Sequence, residues 1–420
     1  MARCIRWAVR GIQSSSMDNA QFAELAAWIT EAGLAGHSEI ATLTGFCERA
    51  VGFGLPIARA IVLADTLHPI YEGRAFRWNR DKDTTVLTEY GRTEEDLGRW
   101  HRSPFFYLEQ SRETVFRRRL TAAANDQFSI FPELIAAGMT DYIAMVNRFA
   151  NEAVIGDMDG IYSSWATDAA AGFRDAEIAD LRQLVPLLAL TVKAVSLTRI
   201  AETLVETYLG RDAGKRVLQG QIDRGITDQI EAALWFSDLR SYTRIADTAA
   251  PGEIIPLLND YSDAIISAIH RQGGDVLKLI GDGILAIFTG DDRVRTCESA
   301  MATAVAARDS VAALNRTRSA ENLPITDMYL ALHVGTVFYG NIGSKERLDF
   351  TVIGPAVNEV SRIAAMCRSV DQLLLVSSAF ASALGDLRSH LVSVGRFALR
   401  GVAHPQELYT LDADLETFGK

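Results

Sequence analysis

The stretch that most constrains this chain runs from Ala233 to Phe288, reading ALWFSDLRSYT, then a helix-like segment, then GGDVLKLIGDGILAIF. Two runs, Val276 to Ile280 and Ile284 to Phe288, are apolar except for Lys278 and flank Gly281-Asp282-Gly283. That is the pattern of a hairpin with Asp282 at its tip. A third apolar and aromatic run ends at Phe236-Ser237-Asp238, where a strand would hand its last side chain to solvent. If these strands are neighbours in one sheet, Asp238 and Asp282 converge. Paired carboxylates bind Mg²⁺, with water and phosphate oxygens completing the octahedron. Taken singly, each aspartate is more simply a turn or cap residue.

A chain of 420 residues is long for one core, so two domains and a connector are expected. With 48% apolar and 23% charged residues it has the composition of an ordinary globular protein. The formal net charge of −11 argues against a nucleic-acid partner and leaves any polyanionic substrate to local cations or metal. Cys4, Cys47, Cys297 and Cys367 show no CxxC spacing, so neither a zinc site nor a disulfide framework is indicated, and a reducing cytoplasm fits. The longest apolar run, Leu184 to Val195, contains Pro186 and Lys193 and is too short to cross a bilayer, so no membrane span is expected. Residues 1–17 lack the apolar core of a secretory signal and read as a flexible lead-in, with Met17 an alternative start.

Residues 18–175 read as an α+β regulatory domain. Helical spacing covers 18–53, and strands follow at Ala58–Leu63, Ala75–Trp78, Met145–Phe149 and Ile161–Trp165. Between them Glu94–Ala124 is polar, and its Arg117-Arg118-Arg119 reads as a solvated helix face. His37, His68 and His101 are too scattered to indicate haem. The segment GFRDAEIADLRQLVPLLALTV faintly resembles the closing helix of a GAF domain, which implies a sensory fold for a small-molecule or protein signal of unknown identity. Residues 176–227 read as a helical linker, kinkable at Pro186, with an apolar stripe from Leu181 to Tyr208 and a break at Gly210. Such a stripe suits a dimer seam and signal transmitter, or simple packing on the N-terminal domain. Residues 212–230 read as a polar connector. From 228 to 412 strands alternate with helices as in an α/β sandwich, and 413–420 are a tail.

In the last region Asn358 and Arg362 stand four apart on a helix and so share a face. Arginine offers phosphate a permanent charge and a planar donor fork. Lys278, four residues before Asp282, is expected on the same side of the hairpin as Asp282, and a lysine inside an apolar strand needs a partner. WFSDLRSYT, LKLIGDGILAIF, GNIGSKERLDFTVIGPAVNEVSRI and LRGVAHPQELYTL together resemble, in order and spacing, the class III nucleotide cyclase catalytic domain over about residues 228–412. The resemblance implies a palm-type, ferredoxin-like sheet with covering helices and a shared-site homodimer, formed through the catalytic domain and linker helix. It implies two Mg²⁺ or Mn²⁺ ions on Asp238, Asp282 and the Leu239 carbonyl. It further implies that Lys278 and Thr351 read the purine, Asn358 orients the ribose and Arg362 stabilises charge on the α-phosphate. Lysine with threonine is similar to the bacterial adenylate cyclases, so the implied reaction is ATP to cyclic AMP and pyrophosphate, in signal transduction.

The sequence departs from the family at Thr351, where animal adenylate cyclases carry aspartate, and lacks a clear phosphate-binding lysine near Arg400. Guanylate cyclase and a catalytically silent regulatory module are the alternatives. A diguanylate cyclase is disfavoured, because Gly273-Gly274-Asp275 here closes a helix and enters a strand.

Overall fold

The computed structural model describes residues 17–412 apart from 83–84, 122–126, 151–153, 157 and 403. The proposed lead-in and tail fall outside the described residues, except for Met17. The chain divides into two compact units, Met1–Leu204 and Val205–Lys420.

The first unit opens with α1 (Asn19–Leu34) and α2 (Glu39–Gly52), started by side-chain caps from Asp18 and Ser38. Six strands follow: β1 (Arg59–Asp65), β2 (Gly73–Asn79), β3 (Val86–Tyr90), β4 (Val115–Arg119), β5 (Asp141–Arg148) and β6 (Gly160–Thr167). They form an antiparallel sheet in the order β3-β2-β1-β6-β5-β4. Strand alternation gives the sheet two buried faces. Ala60, Val62, Phe76 and Trp165 pack with α1, α2 and the long helix α6 (Asp175–Leu209). Tyr142, Ala144 and Tyr162 face α3 (Glu94–His101), α4 (Pro104–Ser111) and α5 (Phe131–Ala136).

Three expectations need correction. The arginine triplet is on strand β4, not on a helix: Arg117 donates to the fully buried Asp141 at 2.8 Å and Arg119 stands 3.5 Å from it. Here a buried carboxylate is answered by two guanidiniums. The helix α6 continues past Pro186, and by length and composition alone it is long and apolar enough to cross a membrane, contrary to the expectation of no span. The stripe from Leu181 to Val192 is committed to the core of the first unit, as Leu181, Leu184, Val185, Leu188 and Val192 are all within 1% of full burial. Finally, 212–230 is no mere connector: it holds α7 (Arg211–Leu218) and the start of β7 (Thr227–Leu239).

The second unit continues with α8 (Tyr242–Thr248), α9 (Pro251–Arg271), the hairpin β8 (Asp275–Ile280) and β9 (Gly283–Phe288), and α10 (Arg293–Ala320). Then come β10 (Met328–Gly343), β11 (Leu348–Ile353), α11 (Pro355–Ser369), β12 (Leu374–Ser377), α12 (Ser378–Ala383), β13 (Leu391–Phe397) and β14 (Gln406–Leu411). The sheet order is β13-β14-β12-β10-β7-β9-β8, with β11 pairing β10. One face buries Trp235, Ile284 and Leu330 under α9 and α10, and the other buries Leu234, Leu285 and Tyr329 under α11. Each such aliphatic side chain removed from water contributes about 1.5–3 kcal/mol. Gly273 closes α9 with φ 79°, and a Cβ on Gly274 would stand 2.6 Å from the Phe288 ring, which fixes GGD as a helix-to-strand passage.

Candidate active site

Asp238 lies next to the end of β7, and Asp282 sits in the tight turn between β8 and β9. Because β9 runs between β7 and β8, with Ser237 opposite Ile284, the turn arrives beside the end of β7. The approach leaves Gly283 no room for a side chain: a Cβ there would be 3.0 Å from the Ser237 carbonyl oxygen and 3.9 Å from Asp238 Cβ. Asp282 Oδ2 accepts the Leu239 N–H at 3.1 Å, which ties the turn to β7. It is therefore the backbone N–H of Leu239 that engages the pair in this structure.

Asp238 Oδ1 is buried and has no hydrogen-bond partner among the described residues. Burial, and then the charge of Asp282, push its carboxyl up to about 6, while Arg368 on α11 pulls the other way. An unsatisfied buried carboxylate oxygen next to a second carboxylate is costly until a cation meets it. The two residues thus fit a divalent ion. Among the described residues no cluster of three or more His, Cys, Asp or Glu suits a metal, so an ion held here would take its remaining ligands from backbone, water and substrate oxygens.

Lys278 is in register with Leu285, and Leu285 with Phe236, which places the lysine on the face covered by α11, the face Asp238 also shares. Pairing is regular from Lys278 to Ile280, but Asp282 lies beyond β8 in the turn, where the pleat has ended, so counting residues along β8 does not settle its side relative to Lys278. Lys278 is ion-paired with Asp349 on β11 instead. Asp349 is the residue the sequence reading missed. Its signal was there: it stands two positions before Thr351 on a strand and so shares that residue's face.

Asn358 and Arg362 do share one side of α11, with Asn358 exposed and Arg362 half-buried against the loop at Gly401. Neither they nor Thr351 spend a side-chain hydrogen bond on another described residue. The sheet lets α11 come close at Gly335, where a Cβ would stand 2.9 Å from Ala356. It is the far end of the helix that nears the carboxylates, since Arg368 and Cys367 are the α11 residues that interact electrostatically with Asp238. At 1.5 Å rise per residue, Arg362 is about 9 Å and Asn358 about 15 Å back along the helix from Arg368. Along α11, then, the Asn/Arg pair is set back from the end that nears Asp238.

Residues 227–413 match the family model described as the adenylate and guanylate cyclase catalytic domain. The chain carries a catalytic domain of this cyclase family. Over 160 residues it is 34% identical to an adenylate cyclase of Anabaena cylindrica, a match covering 37% of this chain and 31% of that protein. It is 28% identical over 158 residues to adenylate cyclase 1 of Rhizobium meliloti, covering 37% and 24%. The chain thus spans less than a third of either relative. Among solved structures, the adenylyl cyclase CyaB from P. aeruginosa aligns with 46% of this chain and 100% of its own at 21% identity and a TM-score of 0.42. The matched residues lie within the second compact unit, and the carboxylate pair, Lys278, Thr351, Asn358 and Arg362 all fall inside them.

Proposed function

We propose that this protein is an adenylate cyclase that converts ATP to 3′,5′-cyclic AMP and pyrophosphate, working as a homodimer with two equivalent shared sites. The observation that carries the reading is the orphaned buried oxygen of Asp238 beside Asp282 at the end of β7. It is a position built to receive positive charge. When bound there, divalent ions would supply Lewis-acid stabilisation of the phosphate oxygens.

In this reading Lys278 donates to the purine ring and Thr351 supplies a hydroxyl beside it. Asn358 holds the ribose so that its 3′-hydroxyl lies in line with the α-phosphorus. Attack forms the 3′-oxygen–phosphorus bond and breaks the bond to the pyrophosphate bridge oxygen, while the hydroxyl proton passes to solvent. Arg362 places its guanidinium on the equatorial oxygens, where charge grows in the transition state. Lysine rather than glutamate at 278 favours adenine, because adenine N1 accepts a hydrogen bond and guanine N1 donates one.

The dimer is supported by two features. The Asn/Arg pair is about 9–15 Å along α11 from the end that nears the carboxylates, which supports a site completed by a partner chain. Apolar side chains are also left in solvent in two places: Leu279 and Ile280 at the end of β8, next to the turn that carries Asp282, and the register partners Phe338 and Ile353 on β10 and β11, just before α11. The test is product analysis by mass spectrometry on the full chain with ATP or GTP and Mg²⁺ or Mn²⁺, beside Asp238→Ala. Cyclic AMP from ATP, reduced at least a hundredfold (roughly 3 kcal/mol) in Asp238→Ala, is expected. Cyclic GMP as the main product would overturn the adenine reading, and equal turnover by Asp238→Ala would overturn the metal assignment.

A further inference from the structure

The first unit contains a cavity of about 740 Å³ between the sheet and helices α3 and α4, a size that takes a drug-sized molecule. It lies on the sheet face opposite the one packed by α6. The floor is opened by small side chains, Ala75 on β2 and Ser164 on β6, and the roof is Trp100 and Phe105. Trp100 meets Tyr162 edge-on at 5.4 Å between ring centroids, and its indole N–H is fixed by Glu109 at 3.1 Å. The rings are therefore held in place rather than collapsed into the space.

The charge at one end of the cavity is unbalanced. In register, Tyr162, Leu63 and Ala75 form one row and Ser164, Ile61 and Arg77 the next, about 7 Å along the strands. Arg59 follows on the same face of β1. Its side chain is 15% exposed, and its Nε is buried with no partner among the described residues. Its carboxylate partner, Glu133, is 61% exposed and so answers the buried charge weakly. Among the described residues Arg77 hydrogen-bonds only the Thr88 hydroxyl. Burial, with Arg59 and then Arg99 nearby, weakens its hold on its proton, and Glu133 only partly offsets this. Elsewhere in the lining Asp65 is engaged by the Tyr90 hydroxyl, Glu89 by Arg74, Asp96 by Thr93 and the Gly91 N–H, and Glu109 by Trp100, while Glu72 and Asp159 line the cavity as well.

Two half-buried to buried guanidiniums with one solvent-facing carboxylate between them call for an anion, and the fixed rings one row away call for a flat apolar body. We propose that this cavity binds a small planar aromatic acid, its ring against Trp100 and Tyr162 and its carboxylate on Arg77 and Arg59. The site owes nothing to the cyclase domain, and its test is binding alone.

The experiment is isothermal titration calorimetry of the full chain with benzoate, indole-3-acetate and naphthalene-1-acetate, each beside its primary amide. At least one acid is expected to bind with a Kd below about 1 mM, and its amide about tenfold or more weaker. Arg77→Ala should weaken the acid about tenfold and leave the amide unchanged. Arg99→Ala, at the exposed rim, should change it less than about threefold. Arg77→Lys, which keeps the charge but loses the fork, should fall between, and unchanged melting of each variant separates lost binding from lost folding. Three results would each overturn the proposal: no acid binding below about 1 mM, acid and amide binding alike, or Arg77→Ala binding the acid as tightly as the parent chain.

Discussion

Lys278 shows how little a visible ion pair says about energy. Its side chain is 45% exposed and that of Asp349 42%, and pairs of that kind contribute at most about 1 kcal/mol, a factor of about five in any equilibrium. A charged hydrogen bond from the same ammonium to a buried purine is worth about 1.5–3 kcal/mol. Lys278→Ala is therefore expected to lower kcat/KM for ATP by about ten- to a hundredfold, and Asp349→Asn by less than about fivefold. Steady-state kinetics with ATP and GTP on both variants decides it; equal losses would mean that the lysine acts only as half of an ion pair. That the lysine needs a partner was legible in an otherwise apolar strand. Which residue answers it was not, because the contact joins β8 to β11, and no local pattern reports a pairing across 71 positions. The arginine triplet failed for the same reason. Its counter-charge, Asp141, comes from a different strand, and without it three arginines look like a solvated face.

Elements were legible where their period was pure. The hairpin around Asp282, the capped helices at 18–53 and the helix after Gly354 came out within a residue or two of their observed bounds. The short strand β3 did not, since its first three residues are exposed on the sheet edge and carry no alternation. Nor did α7, which buries only Ala213 and Gly214: a Cβ on Gly214 would stand 3.0 Å from the Glu206 backbone, so contact is made by small residues that leave no apolar signal. In the sequence Gly335-Thr336 looks like a strand break, whereas β10 runs through it and the glycine is there to admit α11. The same strand carries a pH-sensitive joint. His333 Nδ1 bonds the Ser377 hydroxyl at 2.8 Å, and that hydroxyl also caps α12. Burial pushes the ring down to about 4, so at neutral pH it is uncharged and its 3.6 Å approach to Glu359 is no salt bridge. The unfolded chain takes up this proton near pH 6.5, so the contribution is complete above 6.5 and is lost as pH falls toward 4. The loss is up to roughly 3 kcal/mol, less whatever Glu359 returns to the charged ring. Melting of the parent chain and His333→Gln from pH 4.5 to 7 should show the variant less sensitive to acid over that window. Parallel profiles would mean that the ring does not titrate with folding.

At the scale of the whole molecule, the question is what a second copy supplies. The sequence placed all six candidate side chains in one chain, and nothing in a linear order says whether they meet in that chain or between two. The sheet answers part of it. Asp238 and Asp282 are brought together by the β7-β9-β8 order, whereas α11 runs away from them toward Arg362 and Asn358. A two-fold axis would present the helix face of one copy to the carboxylates of the other and repeat the exchange, giving two sites from one isologous contact. Each site would then hold carboxylates from one chain and the Asn/Arg pair from its partner. Asp282→Ala and Arg362→Ala homodimers are each expected to lose at least about a hundredfold in turnover. Mixing them allows heterodimers in which one site carries both lesions and the other carries neither. Random pairing makes half the dimers mixed, each with one intact site of two, so an equimolar mixture should recover about a quarter of the parent activity per chain. If each chain held a complete site of its own, every active centre would keep the single lesion of its own chain and the mixture would stay as inactive as its parts. Cyclic AMP formation by the mixed variants, measured after the chains have been denatured and refolded together, distinguishes the two arrangements.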